Sequence, residues 1–137
     1  MGTKLRAGLL ALLLFSTPDG VRAQAPHSPA PGSSERRAIL DAIRPLVVAQ
    51  VGPPVEFVVN DIRVIGGYAF VAVEPQRPGG RVIDDSHIDD EMRDGLHTEA
   101  ILIFRNGRWL VDQYAVGSTD VWYDGMCHYP RGLIPGC

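Results

Sequence analysis

Asn106-Gly107 sits between two apolar runs, and this arrangement constrains the chain more than any other feature. Ala100, Ile101, Leu102, Ile103 and Phe104 precede it, and Trp109, Leu110, Val111, Tyr114 and Val116 follow. A two-residue hairpin turn of type I′ needs positive φ at both central residues, which Asn and Gly tolerate best. The stretch Thr98 to Val116 therefore reads as two antiparallel strands. A second hairpin is expected upstream. Val55 to Ile65 and Tyr68 to Glu74 are strand-like, Gly66-Gly67 joins them, and Pro75 ends the second. In the first of these strands Val55, Phe57 and Val59 share one face, and Val58, Ile62 and Val64 the other. Asn60 interrupts the pattern, so a strong twist or a bulge is expected at Asn60-Asp61.

Ahead of the strands, Ile39, Ile43, Leu46 and Val47 recur at helical spacing, and Ala38 and Ala42 widen their stripe. Ser33 or Ser34 can cap this helix, and Glu35 suits its positive start. Pro45 deprives the Asp41 carbonyl of its hydrogen bond, so a kink or a break into two short helices is expected there. Gly52-Pro53-Pro54 ends the element.

Residues 1–23 have the form of a secretory signal peptide: basic Lys4 and Arg6, apolar Ala7 to Phe15, and small residues around Val21-Arg22-Ala23. Ala25 is a second possible cleavage point. The apolar run is shorter than the roughly 20 residues that span a bilayer, which argues against a retained anchor. The Pro-rich stretch 24–33 reads as a flexible linker holding a solvated His27, and 34–137 as a single domain. Cleavage removes Lys4, Arg6, Arg22 and Asp19 from 13 basic and 16 acidic side chains, leaving 10 and 15, a net charge of -5. Such a surface disfavours nucleic acid and anionic membranes, because phosphate binding needs clustered Lys and Arg. Stable membrane insertion after cleavage is not expected. A periplasmic or secreted location also favours a structural disulfide between Cys127 and Cys137, closing a short C-terminal loop. Their spacing is not that of a CxxC redox pair.

Asp84, Asp85, Asp89, Asp90, Glu91 and Asp94 crowd the segment Pro78 to Leu96. Calcium takes oxygen ligands, but counting an EF-hand loop from Asp90 puts Met92 at the third position and Ile101 at the twelfth. The segment reads instead as a solvated acidic loop, and no metal or cofactor is expected. There is no nucleophile elbow, zinc-protease motif, phosphate-binding loop or dinucleotide fingerprint. His87, His97 and His128 are scattered, and no catalytic residue is assigned. If a carboxylate base exists, Asp112 and Asp120 are the candidates, because they flank aromatic residues. The candidate binding residues are Trp109, Tyr114, Asp120, Trp122 and Tyr123. Trp122 and Tyr123 are expected to pack back on the domain rather than line a groove.

The stretches ERRAILDAIRPLV, VNDIRVIGGYAFVAVEPQ and RNGRWLVDQYAVGSTDV resemble a group of small exported bacterial proteins of unassigned function, over about residues 35–123. A helix followed by four antiparallel strands resembles a cystatin-like or NTF2-like roll. That resemblance implies an α+β fold: a kinked N-terminal helix packed on a four-stranded antiparallel sheet, with a disulfide-closed C-terminal tail. It brings no catalytic motif. The expected function is a non-enzymatic binding module of the bacterial envelope or secreted space, contacting an unidentified protein or envelope component through the sheet or the aromatic tail. The alternative is an NTF2-like small-ligand carrier or enzyme with a pocket between helix and sheet. No residue pattern fixes an oligomeric state.

Overall fold

The computed structural model describes residues 24–89 and 91–137, together with Gly2. Apart from Gly2, the expected signal peptide lies outside the described residues. Among the described residues, one helix, α1 (Ser34–Val51), precedes four strands: β1 (Glu56–Ile65), β2 (Tyr68–Gln76), β3 (Arg93–Arg105) and β4 (Arg108–Ser118). The strands form one sheet in the order β1-β2-β3-β4, every neighbouring pair antiparallel. Both expected hairpin turns are present, with φ of 56° and 81° at Gly66 and Gly67 and 52° and 75° at Asn106 and Gly107.

Ser33 is the residue that caps α1, its hydroxyl accepting from the Arg36 N–H at 3.2 Å. Ile39, Ile43, Val47 and Val51 are buried at intervals of four, a single stripe directed at the sheet. The helix runs through Pro45 as one element, so the expected break into two helices does not occur. The far end of α1 carries no basic residue in its last turn. Arg77, from just beyond β2, supplies one. Its guanidinium donates to the carbonyls of Val51 (2.8 Å), Gly52 (2.7 Å) and Pro54 (2.9 Å), serving acceptors that a helix end otherwise leaves open.

The bulge expected in β1 is found. Val59 pairs with Val73 and Asp61 with Ala72, leaving Asn60 as the extra residue. This shift puts Phe57, Val59, Ile62 and Val64 on the helix side of the sheet, against Ala69, Val71 and Val73 of β2 and Ala100 and Leu102 of β3. A second bulge was not foreseen. Leu102 pairs with Val111 but Ile101 with Gln113, so Asp112 is extra. Two boundaries also differ from expectation. β2 continues through Pro75 to Gln76, and β3 begins at Arg93, taking the end of the acidic segment into the sheet. Leu96, within that extension, is buried against Val47 and Ile83.

The other side of the sheet is also covered. Phe70 and Ile101 are fully buried there by Tyr129, Leu133 and Ile134, with Trp122, Tyr123 and Met126 around them. The aromatic tail therefore packs on the domain, as expected, and forms a lid opposite the helix. The Cys127–Cys137 disulfide closes it. At the outer edge of β1, residues 24–33 run as a strap. The His27 N–H and carbonyl pair with Val64 at 2.9 and 2.8 Å, Pro29 is buried, and the Arg36 guanidinium donates to the Pro29 carbonyl. His27, expected to be merely solvated, instead ties the strap to the sheet.

Two outcomes follow. Arg77→Ala uncaps the end of α1 and is expected to cost about 2 kcal/mol in urea titration, from charge-assisted hydrogen bonds and the helix dipole. The double variant Cys127→Ala/Cys137→Ala is expected to lose roughly 2–3 kcal/mol, the loop-closure entropy of a short loop. Its lid residues should then exchange amide hydrogens before the helix-side core does.

Candidate functional site

The region between Ile39, Ile43 and the sheet is filled by the side chains of the helix-side core. Beside it, at the hairpin-turn end of the sheet, a groove of about 700 Å³ opens to solvent. One wall is the first half of α1, with Glu35, Ala38 and Ala42. The floor is Val64, Phe104 and Trp109, and the turns at Gly66-Gly67 and Gly107-Arg108 form the end. Gln24 and His27 of the strap complete the rim. Ala38 and Ala42 line the groove together with Trp109, and their short side chains occupy little of it. Phe104 and Trp109 are register partners flanking the Asn106-Gly107 turn, their rings 5.2 Å apart and tilted by 59°. Phe104 remains 47% exposed, an aromatic surface without a lid. Glu35 is held by His27, with Nε2 and Oε2 2.9 Å apart.

The candidate residues do not share a single surface. Trp109 lines the groove. Tyr114, opposite Ala100, lies on the same side of the sheet farther along β4 and is half-exposed. Asp120 follows β4 in the open, its backbone bonded to the Ser118 hydroxyl. Trp122 and Tyr123 belong to the lid on the other side. Tyr123 meets Phe70 edge-on at 4.9 Å, and Trp122 meets Tyr123 at 5.5 Å. Asp112, a candidate base, accepts the Tyr129 hydroxyl proton at 2.6 Å while Gln113 donates to the same hydroxyl at 2.8 Å. That carboxylate fastens the lid to the β4 bulge. Burial, then the bond to Asp112, pushes the Tyr129 hydroxyl above the ordinary tyrosine value.

The three histidines do not converge. His97 bonds the Ser118 carbonyl at 3.0 Å, His128 stacks on Tyr129 at 4.3 Å, and His87 is exposed in the acidic loop. In that loop Asp84 accepts from the Ser86 N–H and hydroxyl, and Asp85 pairs with Arg93 at 3.3 Å. No three His, Cys, Asp or Glu side chains among the described residues are placed to hold a metal ion.

Glu99 was not singled out in the sequence. It lies on the lid side of β3, its side chain 14% exposed. Burial raises its carboxyl above the ordinary glutamate value, opposed by His97 at 3.9 Å and by the nearby Trp122 N–H. Burial and the Glu99 charge in turn raise the Tyr123 hydroxyl. Strand alternation could have placed Glu99 on the same face as Ile101, but only the lid makes that face an interior.

The comparisons add no relative: no family model, no curated protein and no solved structure matches this chain.

A carboxyl raised by folding binds protons more tightly in the folded state. Stability therefore falls as pH rises from the ordinary glutamate range through the raised value, and stays lower above it. Glu99→Gln removes that loss. Its melting temperature is expected to exceed wild type at pH 7, with the gain shrinking toward zero at about pH 3.5, where both states are protonated. Calorimetry across that range measures it.

Proposed function

We propose that this protein is an exported, non-enzymatic binding module of the bacterial envelope or secreted space, built as a cystatin-like or NTF2-like roll. Its ligand site is the groove between α1 and the hairpin turns. The supporting observation is the groove itself: about 700 Å³ walled by Ala38, Ala42, Val64, Phe104 and Trp109. That volume is within the range of small-molecule sites, and the walls are mainly apolar, as such sites are. The small-ligand reading gains on the protein-contact reading because the tail aromatics are spent on covering Phe70 and Ile101. Contact with a protein or envelope component remains a second reading, favoured by exposed Leu110 and Tyr114 on edge strand β4. An oxidising compartment suits the disulfide, which reducing cytosol would disfavour.

The purified protein is expected to bind a neutral apolar fluorophore such as N-phenyl-1-naphthylamine. Ala38→Leu/Ala42→Phe fills the groove from its helix wall. Affinity should fall at least about tenfold, the equivalent of a few buried methylenes, with an unchanged melting temperature. Equal binding by the two proteins would move the site elsewhere, and no binding by wild type would remove the small-ligand reading.

A further inference from the structure

We infer that Gln24 is a modification site: as the first residue of the exported chain it closes on itself, forming a pyroglutamyl lactam at the rim of the groove. This rests on export with the leader cut after Ala23, and adds the covalent fate of the end so made. Cleavage there turns the Gln24 nitrogen into a free α-amine. The nitrogen lone pair attacks the side-chain carbonyl carbon, Cδ, of the same residue. The N–Cδ bond forms, the Cδ–Nε2 bond breaks, and ammonia leaves. A γ-lactam results, with no oxidant, reductant or second substrate consumed. A cut after Ala25 would leave Pro26 first, and that side chain carries no carbonyl to attack.

The structure leaves Gln24 open to this closure and keeps it in place. Gln24 is exposed, and no hydrogen bond engages it among the described residues. The fastenings begin just behind it, where the Pro26 ring lies against Gly132 and the His27 backbone pairs with Val64. The reacting side chain is thus unbound while the chain that carries it is tied down beside the groove. Gln24 lines that groove together with Glu35, Phe104 and Trp109. An open α-amine, with an ordinary pKa of about 7.7–8.0, would put a largely charged ammonium at the mouth of a mainly apolar trough. The lactam replaces that cation with a neutral amide, as other terminal blocking groups do. Aminopeptidases act on a free α-amine, so the lactam also retains this rim residue.

The full chain, expressed with its own leader in a bacterial host and recovered from the periplasmic fraction, tests this by mass. Intact mass and the mass of the N-terminal fragment are followed during incubation at pH 7, beside the free peptide QAPHSPAPGS. The protein is expected to begin at Gln24 and to become one ammonia lighter and resistant to aminopeptidase. Closure should be complete on recovery or proceed within about twofold of the peptide's rate, since no contact of the side chain has to be broken first. Gln24→Asn, whose closure would need a smaller and strained ring, should keep its ammonia and its free amine. A chain that begins at Gln24 and holds its amine while the peptide cyclises would overturn the inference and leave export standing. Loss of ammonia from the N-terminal fragment of Gln24→Asn would overturn it too, by placing the reaction on another side chain. A chain that still carries residues before Gln24, or that begins at Pro26, would overturn the assigned processing and the lactam with it.

Discussion

Phe70 and Ile101 present large apolar side chains on the side of the sheet that the helix does not reach, and most of the architecture follows from covering them. A four-stranded sheet with only one helix has one shielded face. If the second face were polar, the domain could end at β4. Here the central strands are apolar in both directions: Ala69, Val71, Ala100 and Leu102 toward α1, Phe70 and Ile101 away from it. A segment with no regular secondary structure must then serve as the second layer. Irregular backbone holds its shape poorly by itself, so it needs fastenings. The disulfide provides one, and the Tyr129 bond to Asp112 provides another at the point where the β4 bulge brings that carboxylate outward.

Much of this was legible in the residues. The two turns are written in Gly66-Gly67 and Asn106-Gly107, whose positive φ few other pairs adopt. The helix stripe is written in its spacing, and the β1 bulge in the change of apolar parity at Asn60. The less legible parts share a cause: they depend on partners distant in the chain. Arg77 follows a strand in sequence, and nothing local says that it serves the end of α1 some 25 residues earlier. The Asp112 bulge is hidden because Asp is as reasonable on an exposed strand face as at an irregular position. Pro75 signals a strand end by itself, yet it pairs with Phe57 at the end of the β1–β2 ladder.

The groove was legible only in fragments. Ala38 and Ala42 read as widening an apolar stripe, and their smallness becomes meaningful once Trp109 stands opposite. Trp109 was among the residues selected, but for its neighbours in sequence rather than for Phe104 across the turn. The other selected aromatics, Trp122 and Tyr123, proved to be building material for the second layer. A large ring in a short irregular segment carries the same sequence signal whether it closes a core or greets a ligand, because burial is the property that separates them.

The strap has a consequence for how copies of this molecule behave toward one another. By bonding both backbone groups of Val64, His27 occupies the margin of β1 where a foreign strand would dock. Pro26 also nests against Gly132, where even a methyl group would come within 2.8 Å of the proline ring. The two ends of the described chain are thus buckled together across that margin. Trimming by a protease past His27 would bare the margin and unseat part of the lid in one cut, turning a self-contained unit into one with a sticky seam.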